Sequence, residues 1–361
     1  MRRPVAVQLS YRLGGADGVS VETRKWEWAL GQLGFSVRRV AGEFDDGLRP
    51  DDVWLPFLAI DPVPGTGVDE SALDAAIAGA DLVIVENLCS LPLNVCAART
   101  VARALPRCRA RVLFHHHDLP WERPHLVHLG DEFPPSPPDA VHVTISEHAR
   151  RTLADRRGIR AHTVYNAFDA APTPGDRDGT RRDHGFADED LVLVQPSRAI
   201  PRKGVPNGLR FADDLAQLVT DRAVHYWLTG PAEDGYGPEL ARAIADASVP
   251  VARGRAARAA DAYAAADLVV IPSTWEGFGN PVVEATLALR PVVASEYPVL
   301  SELVALGADP LPLEEPRVVA EWLRQPDHAR LERAARTLGA ALDINRLPDR
   351  IAAVFAASDE A

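Results

Sequence analysis

Residues Asp267 to Ser295 read DLVVIPSTWEGFGNPVVEATLALRPVVAS, and the order of elements in this stretch sets the fold class. Asp267 to Pro272 is a short apolar run of strand type. Ser273 to Gly279 is rich in turn residues and carries Glu276 between Trp275 and Gly277. Asn280 and Pro281 read as an N-cap followed by proline at the first helical position, which places Glu284 in the first turn. Pro291 to Ala294 reads as the next strand. An acid in a loop that feeds a helix N-terminus, beside unpaired backbone N–H groups, suits a ligand carrying both hydroxyls and phosphates.

The alternation of strand and helix extends through the chain on the N-terminal side of this stretch. Towards the N-terminus, Leu191 to Gln195 reads as a strand, followed by SRAIPRKG (Ser197 to Gly204) and a helix to about Val219. Ala223 to Leu228 and Val249 to Ala252 are further strands, the second running into Arg253, Gly254 and Arg255. An earlier series begins with Val5 to Leu9, which leads through Gly14 and Gly15 into a helical pattern. It continues with strands at Ser36 to Val40, Asp81 to Val85, Arg111 to Phe114, Ala140 to Ile145 and Thr163 to Tyr165. Pro50 to Val68, rich in proline and glycine, reads as a surface excursion. Strands alternating with helices predict parallel sheets covered on both faces, with ligands beyond the carboxyl ends of the strands.

The polar stretch Asn166 to Asp188 is the best boundary between the two series. The organisation expected is a Rossmann-like domain over residues 1–170, a linker over 171–188 and a second Rossmann-like domain over 189–340. Residues 341–361 are expected to form a C-terminal helix packing back on the first domain. Two such halves joined by one linker leave a cleft between their ligand-binding edges.

Composition bounds what the chain can do. At 361 residues with 47% apolar and 25% charged side chains it is an ordinary globular sequence, too long for one core. A formal net charge of −12 argues against a general nucleic-acid or anionic-membrane binder, since both require a basic face. No apolar run approaches the roughly 20 residues that cross a bilayer. Cys89, Cys96 and Cys108 lack metal-ligand spacing and fit reduced thiols in a cytoplasmic setting. The basic residues are almost all arginine, and Lys25 and Lys203 are the lysines.

Four charged residues carry the chemistry. Arg198 and Lys203, in a strand-to-helix loop, can together clamp a diphosphate and stabilise it as a leaving group. Glu276 and Glu284 follow in a loop and a helix at Glu-x7-Glu spacing. The stretches PSTWEGFGNPVVEA and SRAIPRKG resemble the signature of retaining glycosyltransferases of the GT-B fold, family 4. That resemblance implies an α/β protein of two Rossmann-like domains facing each other across a cleft. It implies that Glu276, with the amides of Phe278, Gly279 and Asn280, holds the donor sugar hydroxyls. Glu284 would then bind the nucleotide ribose, Arg198 and Lys203 the diphosphate, and the Arg253–Gly254 loop the base. Gly14 and Gly15 resemble the family's phosphate-facing loop, although a tight strand-to-helix turn also accounts for glycines there. VTISEHAR and VYNAFD resemble the segments that lead to the linker.

The chain departs from the family pattern at Leu289-Arg290, where a glycine often precedes the PVV strand, and at Ala167, which replaces the glycine of Asn-Gly-x-Asp. His115, His116 and His117 follow a strand. His115 and His117 share a face and suit either a metal or a structural cluster. The resemblance instead places one histidine beside the reacting sugar, with His117 aligning best and His116 second. Glu22, Glu86 and Trp121 to Arg123 are acceptor-side candidates. The expectation is a metal-independent, retaining hexosyltransferase with no cofactor. Its partners would be a UDP- or GDP-sugar donor and a small-molecule or glycan acceptor, with no nucleic acid. A UDP-sugar 2-epimerase of the same plan, or a sugar-nucleotide-binding protein without turnover, is the alternative.

Overall fold

A computed structural model of the chain describes residues 2–359 and divides them into two units. One unit runs up to Ala167 and takes in the residues from Ile344 on; the other is Phe168–Asp343. Each is built on its own parallel sheet.

The first sheet has strands β1 (Val5–Leu13), β2 (Ser36–Phe44), β3 (Val53–Trp54), β4 (Leu82–Glu86), β5 (Arg111–His116), β6 (Val141–Thr144) and β7 (His162–Thr163). Their order is β3-β2-β1-β4-β5-β6-β7, so the chain reverses direction of travel between β1 and β4. Alternation along each strand sends side chains to opposite faces. Val7, Leu9, Val83, Val85 and Phe114 enter one core, under the helix Val95–Ala104. Ala6, Leu82, Ile84, Leu113 and Val143 enter the other, with Trp26 and Leu30 of the helix Gly18–Gln32. Leu347, Ile351 and Val354, spaced for one face of the helix Leu347–Asp359, are buried in that same core. Burying each such side chain contributes roughly 1.5–3 kcal/mol.

The second sheet has β8 (Leu191–Gln195), β9 (Val224–Leu228), β10 (Val251–Arg253), β11 (Leu268–Ile271), β12 (Val292–Ala294) and β13 (Leu311–Pro312). The order is β10-β9-β8-β11-β12-β13, and its reversal falls between β8 and β11. In open parallel sheets that reversal opens a crevice at the carboxyl edge, where ligands bind.

The structure revises several sequence expectations. The helix after β11 starts one residue early: Gly279 is its N-cap, Asn280 its first residue, and Glu284 lies beyond the first turn. The reason is backbone conformation, since Gly279 takes φ +104°, which asparagine rarely adopts. The excursion Pro50 to Val68 is anchored rather than wholly superficial. It contributes β3 to the sheet edge and buries Leu55, Phe57 and Leu58. Residues 171–188 belong to the second unit and include the helix Arg177–Asp183. Two of their arginines are consumed locally: Arg177 and Arg181 both reach Asp267 and the carbonyls that end the helix Ala259–Ala265. A polar composition there reflects ion pairing within one unit.

Candidate active site

In the second unit, the loops after β8 and β11 flank the sheet's reversal and are joined by their backbones. Thr274 N–H donates to the Arg202 carbonyl at 2.9 Å. Gln195, the last residue of β8, fixes the first loop from beneath: its amide donates to the Lys203 carbonyl at 2.8 Å, and its carbonyl accepts from Tyr226 at 2.6 Å. The short 3-10 turn Pro201–Lys203 then presents Arg202 and Lys203 to the second loop.

There the structure brings Lys203 and Glu276 together. Lys203 Nζ lies 2.6 and 2.7 Å from the two Glu276 oxygens, and both residues are under a tenth exposed. Arg202 donates to the Trp275 carbonyl at 3.0 Å and lies 3.3 Å from Glu276. Burial pushes the Glu276 carboxyl up, but the charges of Lys203 and Arg202, with hydrogen bonds from Lys203 and Ser273, hold it below the usual range. Burial also draws the Lys203 amine down, with Glu276 opposing and Arg202 and Arg198 adding to the fall. The result is a charged pair at the carboxyl edge of the second sheet, with more cation than anion around it.

Arg198 stands apart from this pair, on Glu233 at 2.7 Å, with both side chains substantially exposed. Glu284 accepts a hydrogen bond from Tyr263 at 2.6 Å. Phe278 is buried and stacks on Phe168, with ring centroids 6.2 Å apart. Gly279 cannot be enlarged, since a Cβ there would sit 2.6 Å from the Tyr297 hydroxyl. That hydroxyl is buried without a hydrogen-bond partner, and its proton is held more tightly than in free tyrosine by burial and by Glu276. Arg253 and Gly254 lie at the carboxyl end of β10, where the Gly254 carbonyl accepts from Trp227 at 2.8 Å. Gly14 and Gly15 belong to the other unit. A Cβ on Gly14, which sits at φ +81°, would strike Asp46, and one on Gly15 would meet the Asp45 carboxylate at 2.6 Å, both just past the end of β2.

Strand parity sorts the three histidines of the first unit. His116 shares the Phe114 face; its Nδ1 meets Ser90 at 2.6 Å and its Nε2 meets His142 at 2.9 Å. His115 and His117 turn to the opposite face, and both reach Glu86 Oε2, at 2.8 and 3.1 Å. Burial pushes Glu86 up, but His115 and His117 more than offset it and hold the carboxyl at about 2. Glu86, His115 and His117 bring ligand atoms within 4.8 Å of one another, a donor set that a metal ion could also use. Their contacts have the lengths of hydrogen bonds.

The family described as Glycosyl transferases group 1 matches residues 192–329, which contain both loops and the helix bearing Glu284. The mannosylglucosylglycerate synthase of Thermotoga maritima is 27% identical over 349 residues, covering 81% of this chain and 80% of that protein. Its counterpart from Petrotoga mobilis is 25% identical over 361 residues, covering 82% and 83%. The Anabaena protein Alr3699/HepE, solved with UDP-glucose, superposes with a TM-score of 0.74 at 20% identity over 98% of this chain and 99% of that one. The chain is a GT-B glycosyltransferase.

For this glycosyltransferase, sequence reasoning missed Arg202, Tyr263, Gln195 and Tyr297. Arg202 had a signal, standing beside Lys203 in a strand-to-helix loop. The two tyrosines and the glutamine had none, because nothing local marks a side chain that reaches a residue on a distant element. Among the described residues, no helix of the enzyme is long and apolar enough to cross a membrane.

Proposed function

We propose that the enzyme moves a hexosyl unit from a UDP- or GDP-sugar to an acceptor hydroxyl, with retention at the anomeric carbon. The observation that carries this reading is the Lys203–Glu276 pair at the reversal of the second sheet, with Arg202 against it and Arg198 on the same loop. Departure of a nucleoside diphosphate places negative charge on its oxygens, and preorganised cations there lower the barrier. In this reading Lys203 and Arg198 take that charge, Glu276 and the amides of Phe278, Gly279 and Asn280 hold the sugar, Glu284 takes the ribose, and the Arg253–Gly254 loop meets the base. The C1–O bond to the diphosphate breaks, the acceptor oxygen bonds to C1 from the same face, and the departing phosphate oxygen takes the acceptor proton. The cations do the work that a metal ion would otherwise do, so no metal or other cofactor is required.

UDP-glucose in the Anabaena structure supports a UDP-sugar. The names of the Thermotoga and Petrotoga relatives support a small, polar glycoside as acceptor. Cys89, Cys96 and Cys108 are unpaired thiols, in keeping with a reducing, cytoplasmic setting. The test is a thermal-shift screen against UDP- and GDP-sugars, since a ligand of the folded state raises its midpoint. Product analysis with and without acceptor, read from the anomeric proton of the product, completes it. One donor should stabilise the protein and yield an α-linked product from an α-linked donor. Conversion of the donor to its 2-epimer without acceptor would establish an epimerase, and stabilisation without any turnover a binding protein.

A further inference from the structure

We propose that Glu86 and Asn87 are positioning residues that fix the backbone and the tautomer of His117; this rests on the reading of His117 as the histidine that meets the transferred sugar. Both lie at the carboxyl end of β4, next to the end of β5 in the sheet. Glu86 is fully buried on the face covered by the helix Gly18–Gln32, whose Glu22 and Lys25 form an ion pair there. Its Oε2 is shared by His115 Nδ1 and His117 Nε2. A carboxylate only accepts, so each of those nitrogens must carry its proton towards Glu86; a lone pair there would face an anion. Neutral His117 is therefore protonated on Nε2, and its Nδ1 is left as an acceptor. His116 has both ring nitrogens engaged, and His115 is sealed at 0% exposure, whereas His117 keeps 6%.

Asn87 holds the main chain. It sits at φ +59°, a conformation asparagine tolerates better than most residues, and its N–H donates to the His115 carbonyl at 2.9 Å. Its Oδ1 accepts from the amides of His117 at 3.1 Å and Asp118 at 3.0 Å. The two adjacent residues thus grip the same histidine by ring and by backbone. An Nδ1 acceptor so fixed can take a hydrogen bond from a hydroxyl of a hexosyl unit, and the other tautomer would present a donor in its place.

The experiment uses the whole 361-residue chain with 15N-labelled histidine. The wild type should show His117 as the Nε2–H tautomer. Glu86→Gln, which keeps the shape but removes the charge, should populate the Nδ1–H form. It should also lower kcat by about tenfold to a hundredfold, the scale of a misplaced reacting group. Asn87→Gly suits the positive φ and removes only the side-chain grip; it should lower kcat with the tautomer unchanged. In a His117→Ala background neither substitution should cost further activity. An Nδ1–H wild type, or Glu86→Gln with tautomer and kcat unaltered, overturns the proposal. Full activity in His117→Ala alone would overturn the sugar-facing reading, while the tautomer measurement would still decide what Glu86 does.

Discussion

Both carboxylate oxygens of Glu276 lie on one atom, the Nζ of Lys203, at 2.6 and 2.7 Å. The pair is nearly closed to water, so each charge depends on the other. Removing one partner of a buried pair leaves an unpaired charge and costs about 3–5 kcal/mol, more than removing both. Lys203→Ala and Glu276→Ala should each depress turnover by about a hundredfold or more, judged from the loss of a single transition-state donor. The double variant should melt higher than Glu276→Ala, because it strands no ammonium. Near-normal rates in either single variant, measured at saturating donor, would remove the pair from the site.

Tyr263 touches the site through one atom. Its hydroxyl donates to Glu284 at 2.6 Å, and burial together with Glu284 holds its proton well above the ordinary range. In the proposed reading Glu284 serves the ribose, which does not react. Tyr263→Phe should therefore weaken donor binding in ground and transition state alike, raising the donor KM by about threefold to tenfold with little change in kcat. A fall in kcat at unchanged KM would assign Glu284 to the reacting end instead.

Most of this architecture was legible because it is written in local order. Strand, loop and helix recur with turn residues between them, and the two charged loops follow the strands that flank the sheet's reversal. Once the order of the elements is known, Lys203 and Glu276 have to meet at one edge. Other features depend on contacts the sequence does not display. The start of the helix after β11 turned on φ at Gly279, and the burial of Phe57 on a loop that folds back over β2. Arg198 was paired by sequence with Lys203, yet Glu233, in the loop after β9, draws its guanidinium aside. The histidine run was ambiguous as a string and becomes ordered by parity: His116 goes to Ser90 and His142, and its two neighbours go to Glu86.

Leu289 occupies the turn where the family pattern often has glycine, and it keeps the glycine conformation, at φ +56°. A left-handed residue with a Cβ costs roughly 1–2 kcal/mol. Its side chain is 46% exposed, so little packing opposes the change. Leu289→Gly should raise the midpoint of denaturant unfolding, the relief exceeding the roughly 0.5–1 kcal/mol of extra unfolded-state freedom that glycine brings. Leu289→Val, β-branched at the same φ, should lower it. The opposite order would show that the side chain contributes more by packing than it loses in strain.

Acid should loosen the first unit around β5 and β6. Burial lowers the affinity of His115 and His116 for a proton, and burial with the charge of Arg157 brings His142 down to about 4. For each, the folded value lies below the ordinary one near 6.5. Between those values the unfolded chain binds protons that the folded chain refuses, so stability is complete above about pH 6.5 and falls as pH drops towards 4. Glu86 has the same sign lower down: its contribution is complete above about pH 4.3 and is lost towards pH 2. Hydrogen exchange at the amides of Val112 to Phe114 and Val141 to Val143 should therefore show less protection at pH 5 than at pH 7.5, after correction for the intrinsic rates. His142→Phe removes the titrating group that stacks on Phe114 and should flatten the change. Protection in these strands that is independent of pH across that interval would mean the buried imidazoles take up their protons without opening the fold.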